Sequence, residues 1–433
     1  MRTSRRRPAI LGAALLLATT AVLGCTPPTP TPSAASSTTS PPTTAPTFTP
    51  VPSASPSTPP AVSFVWAARP EAFPGEDGAS LTSLAVGPNG LIGLSVRNPD
   101  DGGPAMRLWG STDGMTWQSI KPTGLPDRVY ISGLWGAAGL YWLRGSLPDS
   151  EDPGILYRSS DGLTWRPSRS LTSDVFELSV SDGCEPSTVA RNACPVFLTG
   201  TKDVDGAIWR STDGGDSWAK ATVDDATGWK TTQDAAPVSI LGVIATSDGL
   251  LAFGNGLARA SDTGGYLQAR FWRSTDGGAT WSRVPNTAPL GELLVRDITF
   301  ADHGVVAVGE GVADQIAVVL RSTDGGRTWA RAATSGIAAD GNLSQVLIGG
   351  DGYVGLGFAN PAAVDDFPLH ESVWTSVDGA SWSTGPAGDL EGGIVDDAVR
   401  LGDLIIAVGR AWTTDVTGTW EAPFGPGVWR LAP

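Results

Sequence analysis

Short apolar segments alternate with polar turns from about residue 61 to the end of the 433-residue chain. Runs such as LTSLAVG, LIGLSV and VVAVGE are bounded by Gly, Pro, Asn and Asp, which is typical of β-strands separated by tight turns. The 55 glycines, 34 prolines and 17 tryptophans supply many turns and many large anchors. The pattern therefore predicts an all-β protein.

One phrase, S-x-D-G-x-[TS]-W, returns six times, with one extra residue in the copies that contain two glycines. We call each copy an SxDG turn. Successive copies lie 48 to 63 residues apart, and a period near 50 is typical of a propeller or a solenoid. The six aspartates of the SxDG turns are Asp113, Asp161, Asp213, Asp276, Asp324 and Asp378.

Each period contains the same four pieces. Two apolar segments come first, a third ends at the SxDG turn, and a fourth is predicted to begin at the tryptophan of that turn. Four short strands per unit are typical of one blade of a β-propeller. The repeat therefore predicts a propeller with four-stranded antiparallel blades.

The number of blades follows from the two ends of the chain. After the sixth SxDG turn, residues 392–433 supply three more strands but no fourth. The segment Ser63–Ala67, directly after the amino-terminal spacer, resembles the missing fourth strand. We expect it to pair with Val428–Arg430, which would close a seven-bladed ring and remove two exposed sheet edges.

The residues of the SxDG turn suit a structural role. Its glycines can adopt positive φ, its Asp can accept hydrogen bonds from turn amides, and its Trp can bury a large ring. A calcium ion prefers six to eight oxygen ligands, whereas each copy offers one carboxylate. We therefore expect no metal, no cofactor and no catalytic residue in these turns.

The six copies resemble the Asp-box, or BNR, repeat of sialidases, sortilin-type receptors, xyloglucan-degrading propellers and a photosystem II assembly factor. The resemblance extends from Ser63 to the end of the chain and implies the propeller fold. Because relatives of this kind include both binding proteins and hydrolases, it does not select an activity.

The amino terminus looks like a bacterial lipoprotein signal: four arginines, an apolar run, and Val22–Cys25. We expect residues 1–24 to be removed, Cys25 to be lipidated and residues 25–60, rich in Pro, Thr and Ser, to form a disordered spacer before the propeller at 61–433. The protein would then be exported and anchored on the outer face of the cytoplasmic membrane. A short transmembrane anchor is the alternative, and the export route stays open.

The net charge limits the classes of molecule that the protein could bind, and the cysteines predict one disulfide. The net charge of −15 makes nucleic acid and anionic lipid poor partners, and we expect a monomer. Besides Cys25, the chain has only Cys184 and Cys194, which bracket a polar stretch. In an exported protein, this spacing predicts a disulfide that closes a small loop.

Ligands of propellers usually bind where the central channel opens, near the exits of the second strands. Alignment of these strands places five candidate ligand-binding residues there: Arg144, Asn255, Glu310, Phe358 and Arg410. Such groups could bind an envelope protein, a peptide or a glycan, and ordinary solvated strand ends are the alternative.

A carbohydrate-active hydrolase is the competing hypothesis, because glycosidases need two nearby carboxylates. Glu310 and the pairs Asp396-Asp397 and Asp365-Asp366 are available. A sialidase is disfavoured, because Arg69-Pro70 lacks the middle residue of the Arg-Ile-Pro-like motif. We therefore expect a binding or scaffolding module rather than an enzyme.

Overall fold

Short antiparallel strands make up almost all of the regular structure. The computed structural model describes residues 63–97, 106–147, 154–170, 175–184, 194–230, 235–261, 264–285, 290, 292–337, 341–350, 352–359, 370–386, 388–412 and 424–431. The signal, Cys25 and the spacer lie outside the described residues, as do Asp365 and Asp366.

The strands carry numbers in chain order. They are β1 Phe64–Ala68, β2 Ala79–Gly87, β3 Gly90–Arg97, β4 Met106–Ser111, β5 Gln118–Ile120, β6 Tyr130–Ala137, β7 Leu140–Ser146, β8 Ile155–Ser159, β9 Arg166–Ser170, β10 Val175–Asp182, β11 Val196–Lys202, β12 Asp205–Ser211, β13 Ala219–Lys220, β14 Thr222–Val223, β15 Trp229–Lys230, β16 Ala235–Ala236, β17 Val238–Thr246, β18 Gly249–Ser261, β19 Gly264–Ser274, β20 Thr280–Arg283, β21 Leu293–Ala301, β22 Gly304–Gly311, β23 Ala317–Ser322, β24 Ala330–Arg331, β25 Ala333–Gly336, β26 Gln345–Gly349, β27 Gly352–Ala359, β28 His370–Ser376, β29 Ser381–Gly385, β30 Gly393–Leu401, β31 Leu404–Trp412 and β32 Phe424–Leu431. Among the described residues, two 3-10 helices cover Pro70–Ala72 and Asp389–Gly392.

Seven four-stranded antiparallel blades form the ring, as the sequence predicts. Blades 1 to 7 consist of β2–β5, β6–β9, β10–β13, β17–β20, β21–β24, β26–β29, and β30–β32 with β1. The innermost strand of each blade contacts the innermost strands of both neighbours, so these seven strands surround a central channel. Three short additions flank the blades: β14 and β25 pair in parallel with β20 and β29, and β15 pairs with β16.

The two ends of the chain close the ring in blade 7. Strand β1 pairs antiparallel with β32, with Trp66 opposite Trp429 and their ring centroids 5.0 Å apart. The side chain of Asp389 accepts a hydrogen bond from the Trp66 amide at 2.8 Å, and its carbonyl accepts one from the Trp429 indole at 3.0 Å. The predicted closure is confirmed, with β1 shifted by one residue to Phe64–Ala68.

The SxDG turns join the third and fourth strands of blades 1 to 6. In each turn the Ser hydroxyl accepts a hydrogen bond from a glycine amide and donates one to the Asp carboxylate, which in turn accepts backbone amides such as Leu163 and Thr164. These amides lower the pKa of Asp161 to about 2. Glycines with positive φ, such as Gly162, complete the turn, so its predicted structural role is confirmed.

The tryptophans of the SxDG turns differ in burial and in their place in the fourth strand. Five are buried, whereas Trp218 is partly exposed and packs 5.8 Å from the Trp142 ring. The predicted start of the fourth strand at the tryptophan is off by one residue in every blade. The strand begins one residue before the tryptophan in blades 4 and 6, at Thr280 and Ser381, and one residue after it in the other four.

Apolar packing occurs mainly between blades. Seven clusters among the described residues lie one in each seam, and each combines side chains of two consecutive blades. In the seam between blades 1 and 2, for example, Leu94 and Ala85 pack with Leu143 and Trp165. Each blade is therefore stabilised by its neighbours, and an incomplete ring would expose two apolar faces.

Arginines add polar contacts across the same seams on the outer rim. Arg158, Arg273 and Arg321 each precede the Ser of their own SxDG turn. Each donates to a carbonyl in the SxDG turn of the next blade: Arg158 to Gly214, Arg273 to Gly325 at 2.9 Å and Arg321 to Asp378 at 2.8 Å. The repeated Arg-Ser pair was visible in the sequence, but its partner lies in the next repeat.

A disulfide joins Cys184 and Cys194, with Cα atoms 5.5 Å apart. It tethers the end of β10 to the start of β11 at the turn between the first and second strands of blade 3. The residues between the two cysteines lie outside the described part of the chain.

We predict that Phe64→Ala destabilises the whole ring. Phe64 is fully buried between blades 6 and 7, so its truncation should lower the free energy of unfolding by about 3–5 kcal/mol. Denaturant unfolding followed by tryptophan fluorescence measures this loss. Trp218→Ala, at the partly exposed rim, should lower the free energy of unfolding by a smaller amount. An unchanged denaturation midpoint for Phe64→Ala would contradict closure of the ring by β1.

Candidate ligand-binding channel

The channel has two distinct openings because each blade is an up-and-down sheet. The turns between first and second strands and the SxDG turns lie on one face, which we call the SxDG face. The connections between second and third strands, and between successive blades, lie on the opposite face, which we call the loop face. The second strands end at the loop face.

The innermost strands are bulged on their loop-face side. In five blades the strand pairing skips one residue, and a bulge of this kind locally bends the strand and redirects a side chain. The skipped residues are Thr82, Ser132, Leu241, Arg296 and Asp396. These bulges cannot be recognised in the sequence before the register of the strands is known.

Amides on the channel edge of the innermost strands have no strand partner there, and an unpaired buried amide is costly. Side chains of the preceding blade accept hydrogen bonds from these amides in six blades. The pairs are Asp397 with Leu84, Met106 with Ile131, Ser181 with Val243, Asn255 with Val295, Asp297 with Val346 and Glu371 with Val395, at 2.7 to 3.2 Å. We call these contacts edge bonds.

Two of the edge bonds are formed by carboxylates at equivalent positions, Asp297 in blade 5 and Asp397 in blade 7. Desolvation inside the channel raises the pKa of each to about 6, and the charge of Asp397 also raises the pKa of Asp297. Asp397 also accepts a hydrogen bond from the Gln345 side chain at 3.0 Å. Burial likewise raises the pKa of Glu371 well above its usual range.

Four of the five candidate ligand-binding residues share one position. Asn255, Glu310, Phe358 and Arg410 each follow a glycine whose added Cβ would collide with a carbonyl oxygen of the first strand or of the segment just before it. Arg144 lies two pairing positions closer to the SxDG face, because it pairs with Gly133, and Ser146 holds the shared position in blade 2. Phe358 is partly buried opposite Glu371. Burial lowers the pKa of Arg144.

Three of the candidates contact residues outside the candidate set. Glu310 forms an ion pair with the bulge residue Arg296, and Arg410 lies 3.7 Å from the bulge residue Asp396. Asn255 accepts from the Val295 amide and donates to its carbonyl, both at 2.9 Å. The expectation that Asn255 lies at the exit of its strand is wrong, because β18 continues to Ser261.

Sequence reasoning missed the bulge residue Arg296 and a cavity in the channel. A cavity of about 550 Å3 is lined by the innermost strands of blades 7, 1 and 2 and by Val180 of blade 3. Its lining includes Thr82, Ser132, Trp135, Asp397 and Arg400. The adjacent acids Asp396 and Asp397 were the one sequence signal that pointed here.

Two further observations concern the described residues only. No group of three or more His, Cys, Asp or Glu side chains among them is arranged to hold a metal ion. Among the same residues, none of the helices is both long enough and apolar enough to cross a bilayer.

Comparisons with known proteins identify no family: no family model and no curated protein matches this chain. Similar solved structures include a protein of unknown function from Dyadobacter fermentans, which is 16% identical with a TM-score of 0.44 and coverage of 86% of this chain and 99% of that one. YCF48 bound to a D1 peptide is 12% identical, with a TM-score of 0.48 and coverage of 86% and 94%. Penicillium chrysogenum α-L-arabinanase complexed with arabinobiose is 13% identical, with a TM-score of 0.42 and coverage of 71% and 95%. Likenesses at this level do not indicate what the chain binds.

We predict that Asp397→Asn stabilises the protein at neutral pH. The amide keeps an oxygen for Leu84, and Gln345 can turn its own amide to match. Because the pKa of Asp397 is raised from 3.8 to about 6 on folding, its contribution to stability is fully present below pH 3.8 and is lost as the pH rises through about 6. The variant should therefore be about 1–2 kcal/mol more stable than the wild type at pH 7.5, with no gain at pH 4.

Denaturant unfolding at both pH values measures this difference. Asp403→Asn is the control, because the Asp403 side chain is fully exposed, and it should show no pH-dependent gain. A wild type that equals or exceeds Asp397→Asn in stability at pH 7.5 would show that the partly buried carboxylate is not destabilised by its charge.

Proposed function

We propose that this protein is a binding or scaffolding propeller, anchored through lipid on Cys25 to the outer face of the cytoplasmic membrane. Its loop face would recognise a protein, peptide or glycan of the cell envelope. The observation that carries the proposal is that the charged groups described at this end of the channel are already partnered. Such a surface is suited to recognition by shape and polarity rather than to proton transfer.

The charged groups at this end of the channel are partnered in two ways, by ion pairs and by edge bonds. Arg296 neutralises Glu310, Arg410 faces Asp396, and Asp397 accepts a backbone amide of blade 1. A catalytic acid or nucleophile must be free to exchange a proton or attack a substrate, so these contacts favour a structural role for the acids.

Exposed apolar side chains give the loop face a contact surface. Tyr130, at the start of β6, is 50% exposed, and Leu147, directly after β7, is 45% exposed. They are near neighbours, because Tyr130 pairs with Ser146 across the two strands. Exposed aromatic and aliphatic side chains beside polar ones are typical of protein interfaces.

The direction of β1 suits attachment of the amino-terminal segment at the SxDG face, opposite the loop face. Third strands run towards the SxDG face, and β1 is antiparallel to the third strand β32. Strand β1 therefore begins at the SxDG face, where the amino-terminal segment joins the ring. A lipid anchor on that segment would therefore attach to the propeller at the face opposite the proposed contact surface.

A glycoside hydrolase is the second candidate, because one observation favours it. Asp297 and Asp397 lie inside the channel, their carboxylates interact, and each has a pKa of about 6, which is typical of a general acid. Asp397 also lines the 550 Å3 cavity.

Affinity capture from the cell envelope tests the binding proposal. The full-length lipidated protein should capture a saturable partner, and Tyr130→Asp should weaken capture at least about tenfold, because it places a charge in the apolar contact. Leu163→Asp is the matched control: Leu163 is 51% exposed but lies on an SxDG turn. Equal capture by the two variants would contradict a loop-face site.

A panel of fluorogenic glycosides tests the competing activity. The binding proposal expects no turnover above background. Turnover that is abolished by Asp397→Asn or Glu310→Gln, with the fold intact by thermal unfolding, would establish the hydrolase instead.

A further inference from the structure

We propose that the channel cavity between blades 7, 1 and 2 is a binding site for a saccharide unit, separate from the loop-face surface. Its volume of about 550 Å3 lies within the range of small-molecule sites. The cavity combines an aromatic platform with side-chain hydroxyls, and these are the two chemical features that a sugar ring uses: a C–H face and a rim of hydroxyl groups.

The aromatic platform is Trp135, on the innermost strand of blade 2. The fold does not require an indole there, because the equivalent positions of the other blades hold smaller side chains. They are Ala85, Ser181, Ile244, Thr299, Leu347 and Val399. Trp135 is only partly buried although it lies inside the ring, so part of its apolar surface faces the cavity.

The lack of a side chain at Gly133 leaves room for this indole. A Cβ on Gly133 would collide with the six-membered part of the Trp135 ring, so any other residue would displace the ring. Gly133 takes the position that Asp297 and Asp397 hold in their own blades. Blade 2 therefore has space for an indole at the level where blades 5 and 7 carry an aspartate.

Hydroxyl groups provide the polar part of the site. Ser83 and the bulge residues Thr82 and Ser132 line the same cavity. Within the described part of the chain, the hydroxyls of Ser83 and Ser132 and the indole N–H of Trp135 have no hydrogen-bond partner. Polar groups in a cavity are usually satisfied by water or by ligand, and sugar hydroxyls can replace water at all three.

The charges of the lining favour an uncharged ligand over a cation or a phosphate. Asp397 uses its oxygens for Leu84 and Gln345, and Arg400 donates to the Gly402 carbonyl at 2.8 Å and lies 3.6 Å from Asp403. One acid and one base therefore offset each other, and both have partners. A neutral sugar needs no further charge compensation.

Saturation-transfer NMR on the full-length protein tests this site with three probes: cellobiose, N,N′-diacetylchitobiose and glucuronic acid. We expect at least one neutral disaccharide to bind with a dissociation constant below about 10 mM. Trp135→Ala should weaken it at least about tenfold, whereas Trp135→Phe should retain most of the affinity, because stacking needs an aromatic ring.

Two variants serve as controls. Ile244→Ala changes the equivalent position of blade 4, outside the cavity, and should leave binding unchanged. Ser132→Leu fills the cavity from an exposed bulge position and should abolish binding even if Trp135→Ala fails to fold.

Three results would overturn the proposal: no transfer to cellobiose or N,N′-diacetylchitobiose at about 10 mM, whether or not glucuronic acid binds; equal binding by Trp135→Ala and the wild type; or binding of tetramethylammonium in place of the sugars. Envelope capture through the loop face should be unchanged in Trp135→Ala. Failure of the saccharide site is therefore distinguishable from failure of the proposed function.

Discussion

Each innermost strand has amides on its channel edge that no strand pairs, and the rest of the channel depends on how these amides are satisfied. In six of the blades the preceding blade supplies a side-chain acceptor, such as Asp397, Asp297, Glu371 or Asn255. An edge bond therefore satisfies a backbone group and also holds two blades together. Because water would be the alternative partner, the edge bonds allow the blades to approach closely around the channel.

The need to satisfy these amides gives the acids in the channel a structural explanation. A carboxylate with a raised pKa inside a channel is a typical sign of catalysis, yet Asp297 and Asp397 hold equivalent positions and accept equivalent amides. Repetition of one contact in two blades is better explained by the ring than by an active site. Blade 2 differs, because Gly133 replaces the acid and Trp135 occupies the space, so the channel is asymmetric in its chemistry.

The outer rim has its own system of contacts. The SxDG turns fix the last hairpin of each blade, and arginines such as Arg273 and Arg321 reach the turn of the next blade. Edge bonds at the channel and arginine contacts at the rim therefore connect consecutive blades from both sides of the apolar seams. The parts that do not repeat are the loop face of blade 2 and the cavity beside Trp135, and these are the two sites that we propose for binding.

The sequence by itself determined what is local and periodic: the all-β class, the SxDG turns with their glycines, and, by the strand missing after Trp429, the seven-bladed ring closed by β1. It placed Glu310, Phe358 and Arg410 near their strand ends, but it could not show that Arg296 and Asp396 pair with two of them, or that Asn255 lies within a longer strand. Those facts depend on bulges, and a bulge changes the register by one residue without changing the hydrophobic pattern enough to be recognised. The edge bonds and the cavity depend on contacts between blades about 50 residues apart, so only the tertiary structure decided them.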